Sequence, residues 1–140
     1  MIRRFRETEI DEVANIWLET NKQAHHFIAE TYWEKNFEMV KGMFGEAEIY
    51  VFEDCGEIKG FVGLTDNYVA GIFVREKEQS LGIGKQLLDF VKDLKGELKL
   101  HVYRKNERAV KFYKREQFEI QDEQTDEATG EAEYLMTWKK

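Results

Sequence analysis

Apolar side chains recur with helical spacing along four segments of the chain. In an α-helix, positions i, i+3, i+4 and i+7 share one face, so each stripe predicts a helix that packs one side against a core. Capping-box patterns predict that the first two helices begin at Thr8 and Thr31, each of which has an acidic residue three positions later. The stripes are Ile10, Val13, Ala14 and Trp17; Trp33, Phe37, Val40 and Phe44; Ile83, Leu87, Leu88, Val91 and Leu94; and Ala109, Val110, Phe112 and Tyr113.

Shorter segments between and around these stripes have the alternation and the turn residues of β-strands. Asp54-Cys55-Gly56 predicts a hairpin turn, and Gly71 inside an apolar run predicts a bulge or a close backbone approach. The predicted strands are residues 1–7, 48–53, 57–64, 68–74, 98–103, 118–121 and 134–138. The order β-α-α-β-β-β-α-β-α-β-β predicts a single α/β domain over residues 1–140, with a mixed sheet and helices on both faces.

Composition narrows the class of protein further. Aromatic residues make up 14% of the 140 residues, which requires a sizeable buried core and excludes disorder for most of the chain. No apolar run approaches the ~20 residues that span a bilayer, and the N-terminus lacks the apolar stretch of a signal peptide. We therefore expect a cytoplasmic protein without a membrane partner. The single Cys55 excludes an internal disulfide, and no cluster of ligand spacing indicates a metal site.

The negative charge of the chain is concentrated in one segment. The net charge is −7, and residues 116–133 contain eight acidic residues and no basic one, so the remainder sums to +1. Without a strongly basic field, a nucleic-acid partner is not expected. The acidic segment is either a solvated hairpin or a surface that attracts a cationic substrate.

A glycine-containing turn at residues 79–85 joins a predicted buried strand to the third helix. A helix N-terminus exposes about four unpaired N–H groups and about half a positive charge, which suits a phosphate or diphosphate. The spacing is not that of a P-loop, and Leu87 replaces the third glycine of the dinucleotide-binding fingerprint. The turn taken alone is consistent with two interpretations, a phosphate-binding site and a purely structural link between strand and helix.

A second motif follows the next predicted strand and favours the phosphate-binding interpretation. The two motifs are Gln79-x-x-Gly82-x-Gly84 and Asn106-x-x-Ala109-x-x-Phe112-Tyr113. Together, in this order and spacing, they resemble the two signature motifs of the GNAT superfamily of acetyl-CoA-dependent N-acetyltransferases, and the order of elements matches over essentially the whole chain. One departure is Gln117, where the family usually has glycine; it affects the turn after the fourth helix rather than the cofactor site.

The segments His25-x-Phe27-Ile28 and Gly71-Ile72-Phe73-Val74 further resemble the small bacterial GNAT proteins of the YjaB and YiaC type. The resemblance implies the GNAT fold, a mostly antiparallel seven-stranded sheet with about four helices on both faces. It implies direct transfer, in a ternary complex and without a metal, of the acetyl group of acetyl-CoA to a primary amine. The acceptor is a protein lysine, an N-terminal amine or a small molecule, and the enzyme is a monomer or homodimer. The alternative is an inactive sensor or interaction domain that binds CoA.

The resemblance also assigns roles to particular residues. A backbone strand would pair with the pantetheine arm, the glycine turn would hold the diphosphate, and four basic side chains either screen phosphates or are ordinary surface charges. The cofactor-binding residues are Ile72, Phe73, Val74, Gln79, Leu81, Gly82, Ile83, Gly84, Lys85, Asn106 and Tyr113. The basic residues are Arg75, Lys77, Arg108 and Lys111, and the acceptor-site residues are His25, Phe27 and Trp33.

Transfer of an acetyl group from a thioester needs a neutral amine and a proton for the departing thiolate. Tyr113 is the predicted acid, because a phenol of pKa ~10 is protonated at neutral pH and can donate to a thiolate of pKa ~8.5. The alternative is a packing role, with Phe112 as the core member of the pair. Candidates for the base are His25, His26, His101, Glu48 and Asp66, and the sequence does not choose among them.

Overall fold

The computed structural model describes all 140 residues and contains seven strands and four α-helices. The strands are β1 (Ile2–Arg4), β2 (Glu48–Asp54), β3 (Glu57–Thr65), β4 (Tyr68–Val74), β5 (Glu97–Tyr103), β6 (Glu119–Asp126) and β7 (Glu131–Lys139). The helices are α1 (Ile10–Ala24), α2 (Glu30–Met43), α3 (Ile83–Lys95) and α4 (Glu107–Arg115). None of these helices is both long and apolar enough to cross a membrane.

The seven strands form one mixed sheet in the order β1-β2-β3-β4-β5-β7-β6. All neighbours are antiparallel except β4 and β5, which are parallel and share a single register pair, Tyr68 with Lys99. Beyond that pair the two strands separate, which leaves a crevice at their carboxyl ends, the place where open α/β sheets bind ligands. A register shift beside Gly71 leaves Ala70 as an extra residue in β4, so the predicted bulge is confirmed.

Helices cover the sheet on both faces, as predicted. On one face α1 and α2 pack over β2 and β3 around a core that includes Val13, Ile49 and Phe61. On the other face α3 and α4 pack over a larger core that includes Leu88 and Met136. Neither α1 nor α2 packs along β5, β7 and β6. Only the start of α2 approaches the β6–β7 hairpin, at Tyr32, so most of this part of the sheet keeps one face without a helix.

Both predicted capping boxes at Thr8 and Thr31 are wrong. A short 3-10 turn at Glu7–Glu9 precedes α1, and the carboxylate of Glu9 accepts a hydrogen bond from the amide of Arg6 at 2.8 Å. Arg3 holds this carboxylate at 2.6 Å, so an ion pair from β1 anchors the residue that precedes α1. The second helix starts at Glu30, before Thr31, without a side-chain cap.

The last two strands are longer than predicted. Most of the acidic residues expected at a hairpin tip instead lie within β6 and β7, and almost every side chain of β6 is exposed to solvent. Alternation of apolar residues cannot reveal such a strand, because backbone pairing with β7 forms it without burying its side chains.

The fourth helix ends in a Schellman motif around Gln117, the residue that departs from the family pattern. The amide of Phe118 donates to the carbonyl of Tyr113 at 2.9 Å, and the amide of Gln117 donates to that of Lys114 at 3.1 Å. Gln117 has φ +75°, the left-handed conformation in which glycine is unstrained. The motif also packs Phe118 against Tyr113, with ring centroids 5.4 Å apart. The turn therefore keeps the geometry that glycine provides in the family, at the cost of strain at Gln117.

We expect Gln117→Gly to raise the free energy of unfolding by about 0.5–1 kcal/mol, because it removes the steric cost of a side chain at positive φ. Urea unfolding followed by circular dichroism measures this change. Gln117→Ala is the control, since alanine keeps the strain and should give no gain. A glycine variant no more stable than the alanine variant would contradict the assignment of strain to this residue.

Candidate active site

The crevice between β4 and β5 has one free backbone edge. Arg75 donates its amide to the carbonyl of Lys59 at 2.9 Å, which places Phe73 among the residues that bond to β3. Hydrogen-bonding direction alternates along an antiparallel strand, so the backbone groups of Ile72 and Val74 point into the crevice. Extended backbone with free groups is a template on which another extended chain adds as a strand.

The turn before α3 has the backbone of an anion site. Ser80 and Gly82 have φ values of +67° and +85°, and Gly82 is the N-cap of a helix that has no side-chain cap. The first amides of α3 are consequently left for another acceptor, and a Cβ at Gly82 would meet no protein atom within 4 Å. The geometry suits the diphosphate of CoA, whose oxygens are hydrogen-bond acceptors.

Gln79 is occupied by the protein rather than free for a ligand. Its amide nitrogen donates to the carbonyl of Val74 at 2.9 Å and to Gln23 Oε1 at 3.0 Å. Its oxygen accepts from Arg108 Nη1 at 2.7 Å, and the second guanidinium nitrogen reaches Ser80 Oγ at 3.0 Å. Gln79 thus braces the turn against the end of β4, and α4 contributes Arg108 as the cation at the turn.

Two other cations predicted near the phosphates, Lys85 and Arg75, have protein partners. Lys85 lies 3.0 Å from the buried carboxylate of Glu116 and 3.2 Å from Asp89. These carboxylates raise the pKa of Lys85 and offset its charge. The guanidinium of Arg75 donates to the carbonyl of Ile58 at 2.8 Å and faces Glu12. Among the four basic residues proposed from the resemblance, Arg108 is therefore the one in direct contact with the turn.

Both motifs lie on the same face of the sheet. A Cβ on Gly84 would lie 3.8 Å from the ring of Phe112, so α3 and α4 meet beside the end of β4. Tyr113 is 7% exposed and packs between Phe112 and Phe118, while Phe112 is only half-buried. The expectation that Phe112 is the core member is therefore wrong. Burial raises the pKa of the Tyr113 phenol, which keeps it protonated across the ordinary pH range.

Asn106 connects the cofactor motif to the predicted acceptor residues. Its side-chain oxygen caps α4 by accepting from the amide of Ala109 at 3.3 Å. Its amide nitrogen lies 3.3 Å from Nε2 of His25, a residue 81 positions away in the chain. This contact brings the segment between α1 and α2 to the carboxyl end of β5.

The three predicted acceptor-site residues form one aromatic cluster. The ring of His25 stacks on Trp33 at 5.2 Å between centroids and meets Phe27 edge-on at 5.7 Å. Tyr103, at the end of β5, meets both His25 and Phe27 edge-on. Two buried nitrogens, His25 Nδ1 and Trp33 Nε1, have no hydrogen-bond partner in the protein. Buried donors of this kind are normally satisfied, so these two nitrogens are exceptions within the cluster.

His25 is neutral at physiological pH. Burial lowers its pKa to about 4, and an interaction with the backbone of Asn21 opposes this shift only in part. An imidazole with such a low pKa holds a proton poorly at pH 7. It is therefore suited to hydrogen bonding and packing more than to removing a proton from an ammonium group.

The structure places two of the other predicted bases, Glu48 and Asp66, away from the crevice. Glu48 begins β2 and is held by Lys95 at 2.8 Å and by Tyr50. Asp66 lies in the turn that precedes β4, at the end of that strand opposite to Val74. His101 lies on the helix-free face, where its Nδ1 is 2.8 Å from the hydroxyl of Tyr68. Glu48 and Asp66 are therefore not part of the site.

Tyr103 adjoins the aromatic cluster and is bonded to Asp126, an arrangement that the sequence did not reveal. The hydroxyl of Tyr103 donates to Asp126 Oδ2 at 2.5 Å, which ties the end of β5 to the β6–β7 hairpin. Burial is the main cause of the raised pKa of Tyr32, and the charges of Asp126 and Glu133 raise it further. Both carboxylates therefore lie beside the start of α2. In the alternation of β5, Tyr103 points away from the face that carries the buried leucines. Only the pairing of β5 with β7 shows that it lies opposite Glu133.

Comparison with known proteins identifies the family. Residues 45–120 match the family described as the acetyltransferase (GNAT) domain. The chain is 32% identical over 140 residues to the peptidyl-lysine N-acetyltransferase YiaC of Escherichia coli strain K12, covering 99% of this chain and 96% of YiaC. It is 28% identical to the peptidyl-lysine N-acetyltransferase YjaB of the same organism over 120 residues, 85% and 82% of the two chains.

Solved structures agree with this result. The apo form of Escherichia coli YjaB superposes with a TM-score of 0.87 at 24% identity, covering 99% of this chain and 96% of that one. A GCN5-related N-acetyltransferase from Rhodopseudomonas palustris gives 0.86 at 15% identity, covering 100% and 95%. The chain belongs to the GNAT family and is an N-acetyltransferase that uses acetyl-CoA. The fold and the activity expected from the two motifs are confirmed.

The low pKa of His25 makes folding sensitive to acid. The unfolded chain binds a proton at this residue below pH ~6.5, whereas the folded protein binds it only near pH 4, so stability falls as the pH drops through this window. Between pH 7 and pH 4.5 we expect the wild type to lose about 2–3 kcal/mol more than His25→Phe, which keeps an aromatic ring but does not titrate. Urea unfolding of both proteins at the two pH values measures the difference. Equal losses would show that His25 is not buried as a neutral ring.

Proposed function

We propose that this enzyme acetylates the side-chain amine of lysine residues in other proteins. The binding of the acetyl donor is carried by one observation. The start of α3, which has no side-chain cap, lies beside the free edge of β4 and on the same face of the sheet as Tyr113. The acceptor half is supported by the aromatic cluster at Asn106 and by the relatives YiaC and YjaB, which are named peptidyl-lysine N-acetyltransferases.

On the donor side, the amides of residues 81–85 hold the diphosphate, with Arg108 as the neighbouring cation. The pantetheine arm lies along β4 and pairs with the backbone of Ile72 and Val74. Gln79 keeps the turn and the strand end in a fixed relation, because its side chain bonds to Val74 and Arg108 at once. The thioester then arrives beside α4.

Tyr113 supplies the proton for the leaving group. The amine nitrogen attacks the thioester carbon, the C–N bond forms, the C–S bond breaks, and the phenol protonates the departing sulfur. A phenolate is costly in the buried environment of Tyr113, so the proton lost from the amine must return to the phenol through solvent. Transfer is direct and needs no covalent acetyl-enzyme, so no role is assigned to Cys55, which lies exposed in the β2–β3 turn.

On the acceptor side, the cluster of His25, Phe27 and Trp33 receives the alkyl chain of lysine. A free lysine amine of pKa ~10.4 is neutral in roughly one molecule per thousand at pH ~7.4, which is equivalent to about 4 kcal/mol. Aromatic walls that exclude water lower the pKa of the amine and reduce this cost. The neutral His25 adds no charge that would repel the incoming ammonium group.

The test of the proposed function is incubation of the enzyme and acetyl-CoA with lysine-containing peptides and, separately, with small amines. Free thiol is measured, and mass spectrometry locates the acetyl group. Acetylation of the lysine side chain is the expected result. Transfer only to small amines would overturn the protein acceptor, and binding of acetyl-CoA without transfer to any amine would identify a CoA-binding domain instead.

We expect Gly82→Ala to weaken the binding of acetyl-CoA about tenfold, because the added methyl group lies where the backbone meets the diphosphate. Gly56→Ala is the matched control: Gly56 has φ +77°, and its Cβ would likewise meet no protein atom. Both substitutions should cost about 1 kcal/mol of stability from positive φ. Titration calorimetry at a temperature where both variants are folded measures the affinity; equal affinities would move the diphosphate away from this turn.

We expect Tyr113→Phe to lower kcat by one to three powers of ten and to leave the affinity for acetyl-CoA nearly unchanged, because only the proton donor is removed. Tyr50→Phe is the control, since its hydroxyl bonds to Glu48 in β2, away from the crevice. Steady-state kinetics at saturating acetyl-CoA give kcat. A Tyr113→Phe enzyme with wild-type kcat would remove this residue from the chemistry.

A further inference from the structure

The helix-free face of β5, β7 and β6 is strongly acidic. Residues paired across neighbouring strands project to the same face, and the pairs Tyr103 with Glu133 and Gln124 with Glu133 fix the register. The opposite face of β7 carries Met136 and packs against α3 and α4. The acidic residues whose register places them on the helix-free face are Glu97, Glu119, Asp122, Asp126, Glu131 and Glu133, against Lys99 and Lys139.

This face is continuous with the aromatic cluster that receives the acceptor. Tyr103 touches His25 and Phe27 on one side and lies directly opposite Glu133 on the other. Burial raises the pKa of Tyr68, and the carboxylate of Glu133 raises it further. The charge of Glu133 therefore faces the start of the crevice. Adjacent strands lie ~5 Å apart and an extended peptide advances ~3.3 Å per residue. Residues one to three positions from a lysine held beside Tyr103 therefore lie over β7 and β6.

Part of this negative charge is not neutralised within the protein. Glu131 pairs with Lys105 at 3.1 Å, and Asp126 accepts the hydroxyl of Tyr103. Glu133 receives only the uncharged amide of Gln124, at 3.2 Å, and Asp122 accepts only a backbone amide. Uncompensated carboxylates beside a binding site attract cationic groups and repel anionic ones.

We propose that the acidic face of β5, β7 and β6 binds the residues flanking the acceptor lysine and selects proteins in which those residues are arginine or lysine. The inference rests on the proposed function, because it specifies which lysines the enzyme acetylates. Glu133 is the specificity-determining residue, since it lies opposite Tyr103 and has no ion-pair partner within the protein. Acidic flanking residues would be repelled by the same side chain.

The experiment compares three peptides with one central lysine, flanked by arginine, serine or glutamate. We expect kcat/KM to fall in that order, by about tenfold between the arginine and glutamate peptides at low salt, and this range to narrow in 0.5 M salt. Glu133→Gln should lower kcat/KM for the arginine peptide about threefold, raise it for the glutamate peptide, and leave the KM for acetyl-CoA unchanged.

Glu123→Gln is the matched control, because Glu123 pairs with Tyr134 on the opposite face of the sheet and its carboxylate contacts Arg104 at 2.8 Å. It should leave the peptide ranking unchanged, and thermal melting should show both variants folded. Equal rates for the three peptides, or equal effects of the two substitutions, would overturn the inference and leave peptide acetylation standing. Acetylation of small amines but of no peptide would instead overturn the proposed function and this inference with it.

Discussion

The parallel pairing of β4 with β5 is limited to Tyr68 and Lys99, and the rest of the site depends on this limit. If the two strands paired to their ends, the backbone groups of Ile72 and Val74 would be consumed within the sheet. Because the strands separate, the edge of β4 is free, and the first turn of α3 and the start of α4 are brought to the mouth of the same crevice. The backbone groups of β4 that have no partner in the sheet therefore mark the place proposed for the acetyl donor.

Several contacts hold the walls of this crevice in place. Gln79 bonds the turn to the last residue of β4, and Arg108 bonds α4 to the turn. The Schellman motif fixes the end of α4 and packs Phe118 on Tyr113. These groups belong to three separate elements, so the position of the phenol relative to the turn is set by their mutual packing. Substitutions at such bracing residues act on the chemistry only through the geometry they maintain.

The two sides of the site have opposite electrostatic character. The donor side offers helix-terminal N–H groups and the guanidinium of Arg108, which suit an anionic coenzyme. The acceptor side offers neutral aromatic rings and, beyond Tyr103, the carboxylates of β6 and β7. In the proposed function, this separation places the anionic coenzyme and the cationic acceptor at neighbouring sites, each facing charge of the opposite sign, although the net charge of the chain is −7.

The sequence alone determined the family, the order of elements and the two motifs, because helical stripes, turn glycines and motif spacing are local properties that survive without knowledge of contacts. It also predicted that His25, Phe27 and Trp33 belong together, through resemblance rather than through chemistry. Only the tertiary structure showed that Arg3 pairs with Glu9 at the start of α1, that the side chain of Gln79 is occupied, and that Glu48 and Asp66 lie away from the crevice. The roles of Tyr103, Asp126 and Glu133 likewise depend on register between β5, β7 and β6. Such contacts join residues far apart in the chain, and no local pattern of polar and apolar positions encodes which of them meet.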